Sequence, residues 1–328
     1  MVKKQTGFSM DFDKEKPLIS ESLATEEIRG SEFKKRLERY SGAKARSLAM
    51  SEYIKSTQSS RYDKIAYRLG ECGSFLWFKN YFEKGEIRLH SASFCEKSAL
   101  CPFCAIRRAG KFIKAYMSKL ESLRAVYPHL KPYMLTLTVK DGESLSERFL
   151  HLRFAIREYM DKRRKYLASE TRKRNRPHVE LVKALGGVYS IEIKRGKNSK
   201  LWHPHVHFVI LCDHKNPIDV QKLSAEWHEI TGDSFIVDCR SFYSADPDCV
   251  LDGFLEIFKY ALKFSDMSLQ DNFHAYEILN KQRLVGNFGI LRGVEVEENL
   301  NDFCPEDEPY IDLFFRYFKN RGYEQVSE

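Results

Sequence analysis

The sequence lacks the features that would direct it to a membrane or to nucleotide hydrolysis. No apolar run approaches the roughly 20 residues that a bilayer-spanning helix requires. The first five residues lead into polar sequence rather than into the apolar core of a signal peptide. The chain also contains no glycine-rich phosphate loop and no internal repeat. We therefore expect a cytoplasmic protein with no membrane contact and no site for NTP hydrolysis.

Composition indicates reduced thiols and a polyanionic partner. The 328 residues suffice for at least one full core with attached segments. Because the cytoplasm keeps thiols reduced, the eight cysteines indicate free thiols or metal ligation rather than disulfides. The net charge of +8 and the isoelectric point near 8.9 favour binding to a polyanion such as nucleic acid.

Three of the ten histidines occupy alternate positions in one strand-like run, residues 201–212. Because a β-strand sends every second side chain to the same face, His203, His205 and His207 project together. Neutral imidazoles bind divalent cations well, and a catalytic site for a hard cation usually adds a carboxylate and leaves coordination positions open. The run therefore predicts one side of a metal site.

Glu192 is the predicted carboxylate ligand. It lies in a second strand-like run, residues 187–193, and the loop between the two runs, residues 194–200, has the Gly, Asn and Ser content of a hairpin connection. On an antiparallel pair, Glu192 would face the imidazoles across the ladder. The alternative is a solvated polar face on an edge strand, which Pro204 favours because proline cannot donate to a ladder.

A second set of metal-ligating residue types lies between residues 70 and 110. Cys101 and Cys104 form a C-x-x-C pair, whose thiolates can bind one zinc from a tight turn, and Cys95 with Cys72 would complete a tetrahedral structural site. His90 competes with Cys72 as the fourth ligand. The alternatives are buried free cysteines and a redox pair, but no thioredoxin-like βαβ pattern surrounds the motif.

The remaining periodicities predict an α+β fold, in which a central antiparallel sheet is flanked by helices and follows an N-terminal helical and zinc-binding region. We divide the chain into a leader and exposed helical region at 1–70 and a Cys-rich zinc-binding and helical segment at 71–128. A sheet domain follows at 129–268. An acidic and aromatic C-terminal extension occupies 269–328, and in it residues 310–318 are either a partner-binding helix or a docked terminal element.

Residues 253–264 have helical periodicity and carry polar groups on one side. Glu256, Tyr260 and Lys263 share a face at spacings of four and three, which suits contact with a phosphate. The pattern alone equally fits an ordinary amphipathic helix. The densest basic stretch, residues 162–176, is suited to tracking phosphates, although such runs are commonly solvated faces.

Together these motifs resemble those of the rolling-circle plasmid replication initiators, or Rep proteins, in the endonuclease superfamily named HUH for its His-hydrophobe-His motif. The resemblance covers roughly residues 70–265. It rests on four short motifs: Phe94-Cys95 with Cys101-Pro102-Phe103-Cys104 and Arg107-Arg108; Leu135-Thr136-Leu137-Thr138; Trp202-His203-Pro204-His205-Val206-His207; and Glu256-x-x-x-Tyr260-x-x-Lys263.

The resemblance implies an HUH nicking and ligation domain at residues 129–268. It implies a catalytic divalent cation, Mg²⁺ or Mn²⁺, with three ligands: His205, His207 and Glu192. Tyr260 would be the nucleophile, which leaves a 5′-phosphotyrosyl link and a 3′-OH primer, and Tyr243 and Tyr276 are the next candidates.

Two further side chains of the 253–264 helix have expected roles. The resemblance associates Glu256 with termination, where it would activate the water that hydrolyses the closing junction. Lys263 would steady the phosphate or lower the pKa of the nucleophilic phenol. His203 exceeds the two-histidine motif, and its role stays open.

The expected partner is origin DNA, either single-stranded or as an extruded hairpin, with residues 162–176 as a strand guide. The resemblance also allows a host helicase or polymerase as a further partner, and a homodimer as the oligomeric state. Two rival functions remain. One is a relaxase or single-tyrosine transposase of the same superfamily, and the other is a non-catalytic zinc-containing DNA-binding regulator.

Overall fold

The computed structural model describes residues 26–171, 176–242, 253–255, 257–258 and 267–326. The N-terminal helices and strands are α1 Glu26–Ser56, α2 Asp63–Glu71, β1 Phe75–Tyr81, β2 Glu86–Ala92 and α3 Pro102–Val126. The central elements follow: β3 Leu130–Thr138, α4 Leu145–Thr171, β4 Ala184–Arg195, β5 Trp202–Asp213, α5 Val220–Thr231 and β6 Val237–Ser241. The last are α6 Leu269–Leu279, β7 Val285–Gly289, β8 Ile311–Phe318 and β9 Gly322–Val326.

Five strands form an antiparallel sheet in the order β6-β3-β5-β4-β7. The inner side chains of β5, including Val206, Phe208 and Ile210, are buried in one hydrophobic core with residues of α4 and α5. The opposite face packs against α3 and against the helical residues 253–255 and 257–258. Burial of alternate apolar positions on both sides therefore holds this sheet between helices.

A second antiparallel sheet has the order β2-β1-β8-β9. Its inner side chains, among them Leu76, Phe78 and Phe315, share a core with Tyr40 and Met50 of α1. Since Tyr40 and Met50 are almost fully buried, one side of α1 belongs to this core, while many residues on its other side are exposed. The two helix-flanked antiparallel sheets confirm the α+β class.

The C-terminal extension contributes strands to both sheets. β7 pairs with β4, while β8 lies between β1 and β9. Residues 310–318 are therefore not a partner-binding helix but a docked element, because their aromatic and β-branched side chains suit a pleated surface. None of the helices that the structure describes is long and apolar enough to cross a membrane.

Residues 295–308, here called the acidic strap, connect β7 to β8 and run across the N-terminal half of the protein. Glu297 accepts a hydrogen bond from Lys111 Nζ at 2.7 Å, and Glu308 pairs with Lys84 at 2.5 Å. The backbone oxygen of Pro305 accepts a hydrogen bond from Tyr81 at 2.9 Å. The acidity of this segment therefore neutralises basic side chains of the N-terminal half.

Asp302 is the centre of the strap's contacts. Its carboxylate accepts hydrogen bonds from Arg36 at 2.9 Å, from Arg107 at 2.5 Å and from the Leu89 amide at 2.7 Å. Burial raises the pKa of Asp302, but the two guanidinium groups outweigh it and hold that pKa well below its usual range. Arg107 also donates to the buried Tyr40 hydroxyl, whose pKa the arginines lower to about 8 against the effect of burial.

We predict that Asp302→Asn lowers the free energy of unfolding by about 3 kcal/mol, because it leaves two largely buried guanidinium groups without their counter-charge. Urea denaturation at neutral pH measures this loss. The native pKa is depressed, so the stabilisation is present above the unfolded pKa of about 4 and is lost as pH falls through the lower native pKa. The wild-type advantage should therefore persist at pH 5.

Glu308→Gln is the matched control. Its partner Lys84 has a side chain that is 54% exposed, and such surface pairs contribute about 0–1 kcal/mol. An Asp302→Asn variant no less stable than Glu308→Gln would contradict the structural role assigned to the strap.

Candidate metal sites

The pairing of three strands brings the predicted ligands together. Glu192 of β4 lies directly opposite His205 of β5. On the other side of β5, Thr138 lies opposite His205 and Thr136 opposite His207. Because β5 is the central strand of its sheet, the alternative of a solvated edge strand is wrong.

Pro204 is accommodated at the end of the β3 ladder. Trp202 exchanges both backbone hydrogen bonds with Gly142, so Pro204, two residues on, presents its backbone to the same side. The pairing of β3 with β5 has already ended there, since its last pair is Thr138 with His205. A proline at this position removes no hydrogen bond from the ladder, which explains how it occurs in a central strand.

Two imidazoles and one carboxylate converge on one point of the sheet face. His205 Nε2 lies 3.5 Å and His207 Nε2 lies 3.3 Å from Glu192 Oε2. The ligand atoms of the three residues all fall within 4.8 Å of one another. Glu192 and His205 are almost fully buried, and the His207 side chain is 12% exposed. Three side chains would leave further coordination positions of a cation to water or substrate, as catalytic metal sites do.

The second nitrogen of each imidazole is turned towards the protein. His207 Nδ1 hydrogen bonds with Thr136 Oγ1 at 2.9 Å, and His205 Nδ1 lies 3.4 Å from the backbone oxygen of His203. Such contacts fix the ring orientation of metal-binding histidines and leave Nε2 for the cation. Burial lowers the pKa of His205, although Glu192 opposes this effect. His205 is therefore neutral at neutral pH, which is the form that binds a metal.

His203 lies apart from this group. Its Nδ1 lies 2.5 Å from Asp141 Oδ1, and Ser199 donates to the other oxygen of the same carboxylate. Burial raises the pKa of Asp141, but the hydrogen bonds from Ser199 and His203 outweigh it and lower that pKa. The structure therefore gives the third histidine a separate, carboxylate-bound position beside the cluster.

The face that carries the imidazoles becomes apolar further along β5. Val209 and Leu211 follow His207 on this face and share a core with Phe254, Ile257 and Phe258. Phe258 stacks on Phe112 and lies against Tyr116 of α3. The helical segment that leads towards residue 260 is thus packed on the same sheet face as the imidazoles.

The predicted nucleophile and its neighbours lie outside the described residues. This applies to Tyr260, Glu256 and Lys263, and also to the alternative Tyr243. The other alternative, Tyr276, is described: it is 3% exposed and lies in α6 within the core that contains the cysteines. The burial of Tyr276 leaves its ring little access to a DNA phosphate.

The four predicted cysteine ligands form one buried cluster. Cys72 follows α2, Cys95 follows β2, and Cys101 and Cys104 flank the first turn of α3. The Cys72 sulfur lies 3.5 Å from those of Cys101 and Cys104, and the Cys95 sulfur lies 3.6 Å from that of Cys104. A tetrahedral zinc with Zn–S bonds of about 2.3 Å requires sulfurs about 3.8 Å apart, whereas a disulfide requires about 2.05 Å.

The chemistry of this pocket also fits a cation. Burial raises the pKa of Cys101, but hydrogen bonds from the neighbouring thiols outweigh it and lower that pKa, while Cys72 and Cys104 are held protonated by their contact with Cys101. All four side chains could therefore bind as thiolates only if a divalent cation offset their charge. Lys44, itself buried, hydrogen bonds with Gly70 and Ser74 beside the cluster and supplies further positive charge.

His90 does not join the cysteine cluster. Its ring packs edge-on against Trp77, with 4.3 Å between the ring centres, on the outer face of the four-stranded sheet. Burial lowers the pKa of His90. The geometry therefore favours Cys72 over His90 as the fourth candidate ligand of the cysteine cluster.

The basic stretch at 162–176 lies away from the imidazoles. Arg163 donates to the backbone oxygens of Leu181 and Ala184. Ala184 begins β4, eight residues before Glu192, which corresponds to about 26 Å of strand. Moreover, α4 packs on the sheet face opposite the imidazoles. In the described part of the stretch, Lys162 and Lys165 also have acidic partners within the protein.

Sequence reasoning missed two residues that hold histidines of β5, Thr136 beside His207 and Asp141 beside His203. Thr136 was recognised only as part of a strand, and Asp141 was not singled out. The sequence could have pointed to Thr136. Residues 136 and 138 share one face of their strand, and that face could have been predicted to lie beside the histidines. A lone aspartate after a strand carries no such signal.

We predict that native protein holds one zinc per chain and that Cys101→Ser loses it and loosens the fold. Elemental analysis and the denaturation midpoint measure the two effects. Cys212, equally buried but in the core of the five-stranded sheet, supplies the control, since Cys212→Ser should keep its zinc. Native protein that contains no zinc would disprove the assignment of the cysteine cluster as a zinc site.

We predict that Thr136→Val weakens Mn²⁺ binding about 10- to 100-fold, because His207 loses the hydrogen bond that orients it. Calorimetric titration of the zinc-loaded protein measures the affinity. Thr138→Val is the matched control, since Thr138 contacts Ser234 at 3.3 Å rather than an imidazole. Equal affinities in the two variants would show that Thr136 does not position the ligand.

Comparison with known proteins identifies the family. Residues 86–312 match the family model Rep_1, described as replication protein. The chain is 30% identical to Protein rep of a Bacillus species over 77% of this chain and 88% of that protein, and 28% identical to Protein rep of Bacillus amyloliquefaciens over 80% and 82%. No solved structure matches the chain significantly. The chain belongs to the Rep_1 replication protein family, which confirms the resemblance to plasmid replication initiators.

Proposed function

We propose that this replication initiator nicks one strand of its origin DNA by a metal-assisted attack of Tyr260. The products would be a 5′-phosphotyrosyl link to the protein and a free 3′-OH that primes synthesis. Glu192, His205 and His207 would hold the catalytic Mg²⁺ or Mn²⁺.

One observation carries this proposal. One ligand atom from each of Glu192, His205 and His207 lies within 4.8 Å of the others on a sheet face, and that same face packs against Phe254, Ile257 and Phe258. Phe258 precedes Tyr260 by two residues. The packing of residues 254, 257 and 258 on this face supports a position of Tyr260 on the same side of the sheet as the proposed metal ligands.

The reaction balances without a further co-reactant. The phenolate oxygen attacks phosphorus, the bond between phosphorus and the 3′ oxygen breaks, and this oxygen leaves and takes up a proton. A bound divalent cation would polarise a non-bridging phosphate oxygen and offset the charge of the transition state. Lys263, three residues after Tyr260, would favour the phenolate by its positive charge.

Glu256 would act at the end of the replication cycle. It precedes Tyr260 by four residues, so a helix would place the two one turn apart. As a general base it would deprotonate a water that hydrolyses the regenerated junction instead of forming a second covalent link. The cysteine cluster would take no part in this chemistry and would stabilise the N-terminal core through zinc.

The rival functions explain less of the molecule. A relaxase or single-tyrosine transposase shares the metal and tyrosine chemistry, but the replication protein family and the pairing of Glu256 with Tyr260 favour an initiator. A non-catalytic regulator would leave Glu192, His205 and His207 without a role, although their buried convergence and the Thr136 hydrogen bond are features of a site built for a cation.

The experiment uses labelled single-stranded origin DNA with Mn²⁺ and detects an SDS-resistant adduct. Tyr260→Phe should reduce adduct and cleavage to background, because it removes the nucleophilic oxygen and keeps the ring. Glu256→Ala should still form the adduct but give over-long replication products. His207→Ala should lose nicking and keep most of its affinity for duplex origin DNA, because charge supplies most of that affinity.

Tyr276→Phe is the matched control and should form the adduct normally. A normal adduct in Tyr260→Phe would assign the nucleophile to another tyrosine. Normal termination by Glu256→Ala would disprove the water-activating role of Glu256 but would leave the assignment of Tyr260 as nucleophile unchanged. Loss of duplex binding by His207→Ala equal to its loss of nicking would contradict the separation of binding from chemistry.

A further inference from the structure

The outer face of the four-stranded sheet carries a group of aromatic side chains that the metal chemistry does not use. Its members, here called the aromatic platform, are Phe75 and Trp77 of β1 and Phe314 of β8. Trp77 lies opposite Phe314 in the β1–β8 pair, with 5.3 Å between the ring centres and 32° between the ring planes. Phe75 is 45% exposed, while Trp77 and Phe314 are half-buried.

The sheet holds these rings in place. The Trp77 indole N–H donates to Asp312 at 2.7 Å, and His90 packs edge-on against the same ring. Phe78 and Phe315, the neighbours of Trp77 and Phe314 in sequence, point to the opposite face and anchor the two strands in the core. The rings are therefore ordered before any ligand arrives, which lowers the entropic cost of stacking on them.

A groove of about 470 Å³ opens beside the platform and is lined by Phe75, Phe314, Arg316 and Val326 among others. Among its described lining residues, Arg316 is the only charged one. Outside this lining, Asp312 accepts the indole hydrogen bond, and Glu324, opposite Arg316 in the β8–β9 pair, forms an ion pair with Arg321 at 3.2 Å. Arg316 is exposed and, within the part of the chain that the structure describes, has no hydrogen-bond or ion-pair partner.

We propose that the aromatic platform binds single-stranded DNA by stacking bases on Phe75, Trp77 and Phe314, with Arg316 contacting the backbone phosphate. Aromatic rings exposed on a sheet beside a free cation are the elements from which sequence-tolerant single-strand sites are built. This surface belongs to the second sheet and contains none of the metal ligands. The proposal requires DNA as the partner and does not depend on the identity of the nucleophile.

Single-stranded DNA fits this face better than duplex or a protein segment. A duplex keeps its bases stacked inside, so rings on a broad sheet face reach only its backbone. An apolar peptide would satisfy the rings and leave the Arg316 guanidinium without a counter-charge. A single strand offers both π-faces and phosphates at the spacing of neighbouring nucleotides.

The experiment titrates the full-length Tyr260→Phe protein, which forms no adduct under the proposed function, with a dT oligonucleotide and records tryptophan emission and anisotropy. Trp202 and Trp227 are 2% and 0% exposed, so quenching on binding reports Trp77. Phe75→Ala and Phe314→Leu should each weaken binding about tenfold. Arg316→Gln should reduce the slope of log K against log salt by about 0.7.

Phe82→Ala is the matched control, because Phe82 is 50% exposed and lies after the end of β1, off the platform. It should bind dT like the parent. Equal affinities for Phe75→Ala and Phe82→Ala, binding without quenching, or no binding of dT would each overturn the proposal. A failure of the nicking mechanism appears instead as an adduct in Tyr260→Phe, so the two failures are distinguishable.

Discussion

The pairing register of β4 with β5 is the constraint on which the site depends. Glu192 stands opposite His205 only in this register, and a slip of one residue would turn either the carboxylate or both imidazoles to the other face. Such a slip would also bring Val206 and Phe208 out of the core. The same burial that stabilises the sheet therefore fixes the positions of the candidate metal ligands.

One strand combines ligation with packing. Along a single face, β5 presents His205 and His207 and then Val209 and Leu211. The polar half carries two of the candidate metal ligands, whereas the apolar half packs against residues 254, 257 and 258. The core around the cysteine cluster joins N-terminal residues to Phe273, Tyr276 and Phe315 of the C-terminal extension, and Asp302 of the acidic strap adds charged contacts to the same region.

The sequence predicted what depends on short spacings. The two-residue period of a strand predicted that the histidines share one face. The composition of the connecting loop predicted a hairpin with Glu192 opposite them, and the C-x-x-C spacing predicted a shared metal site. It failed where contacts join distant segments. Asp302 meets Arg36 across more than 260 residues, so its charge was read as part of an acidic tail. Likewise, Pro204 suggested an edge strand because its position relative to the end of β3 depends on tertiary pairing.

The central claim is that this sheet face holds a catalytic cation, and anomalous diffraction from crystals soaked in Mn²⁺ tests it most directly. The account predicts one manganese peak in coordination contact with Glu192 and with Nε2 of both His205 and His207, while Thr136 keeps its contact with His207 Nδ1. A manganese ion bound elsewhere on the chain, or at this place without either imidazole as a ligand, would contradict it.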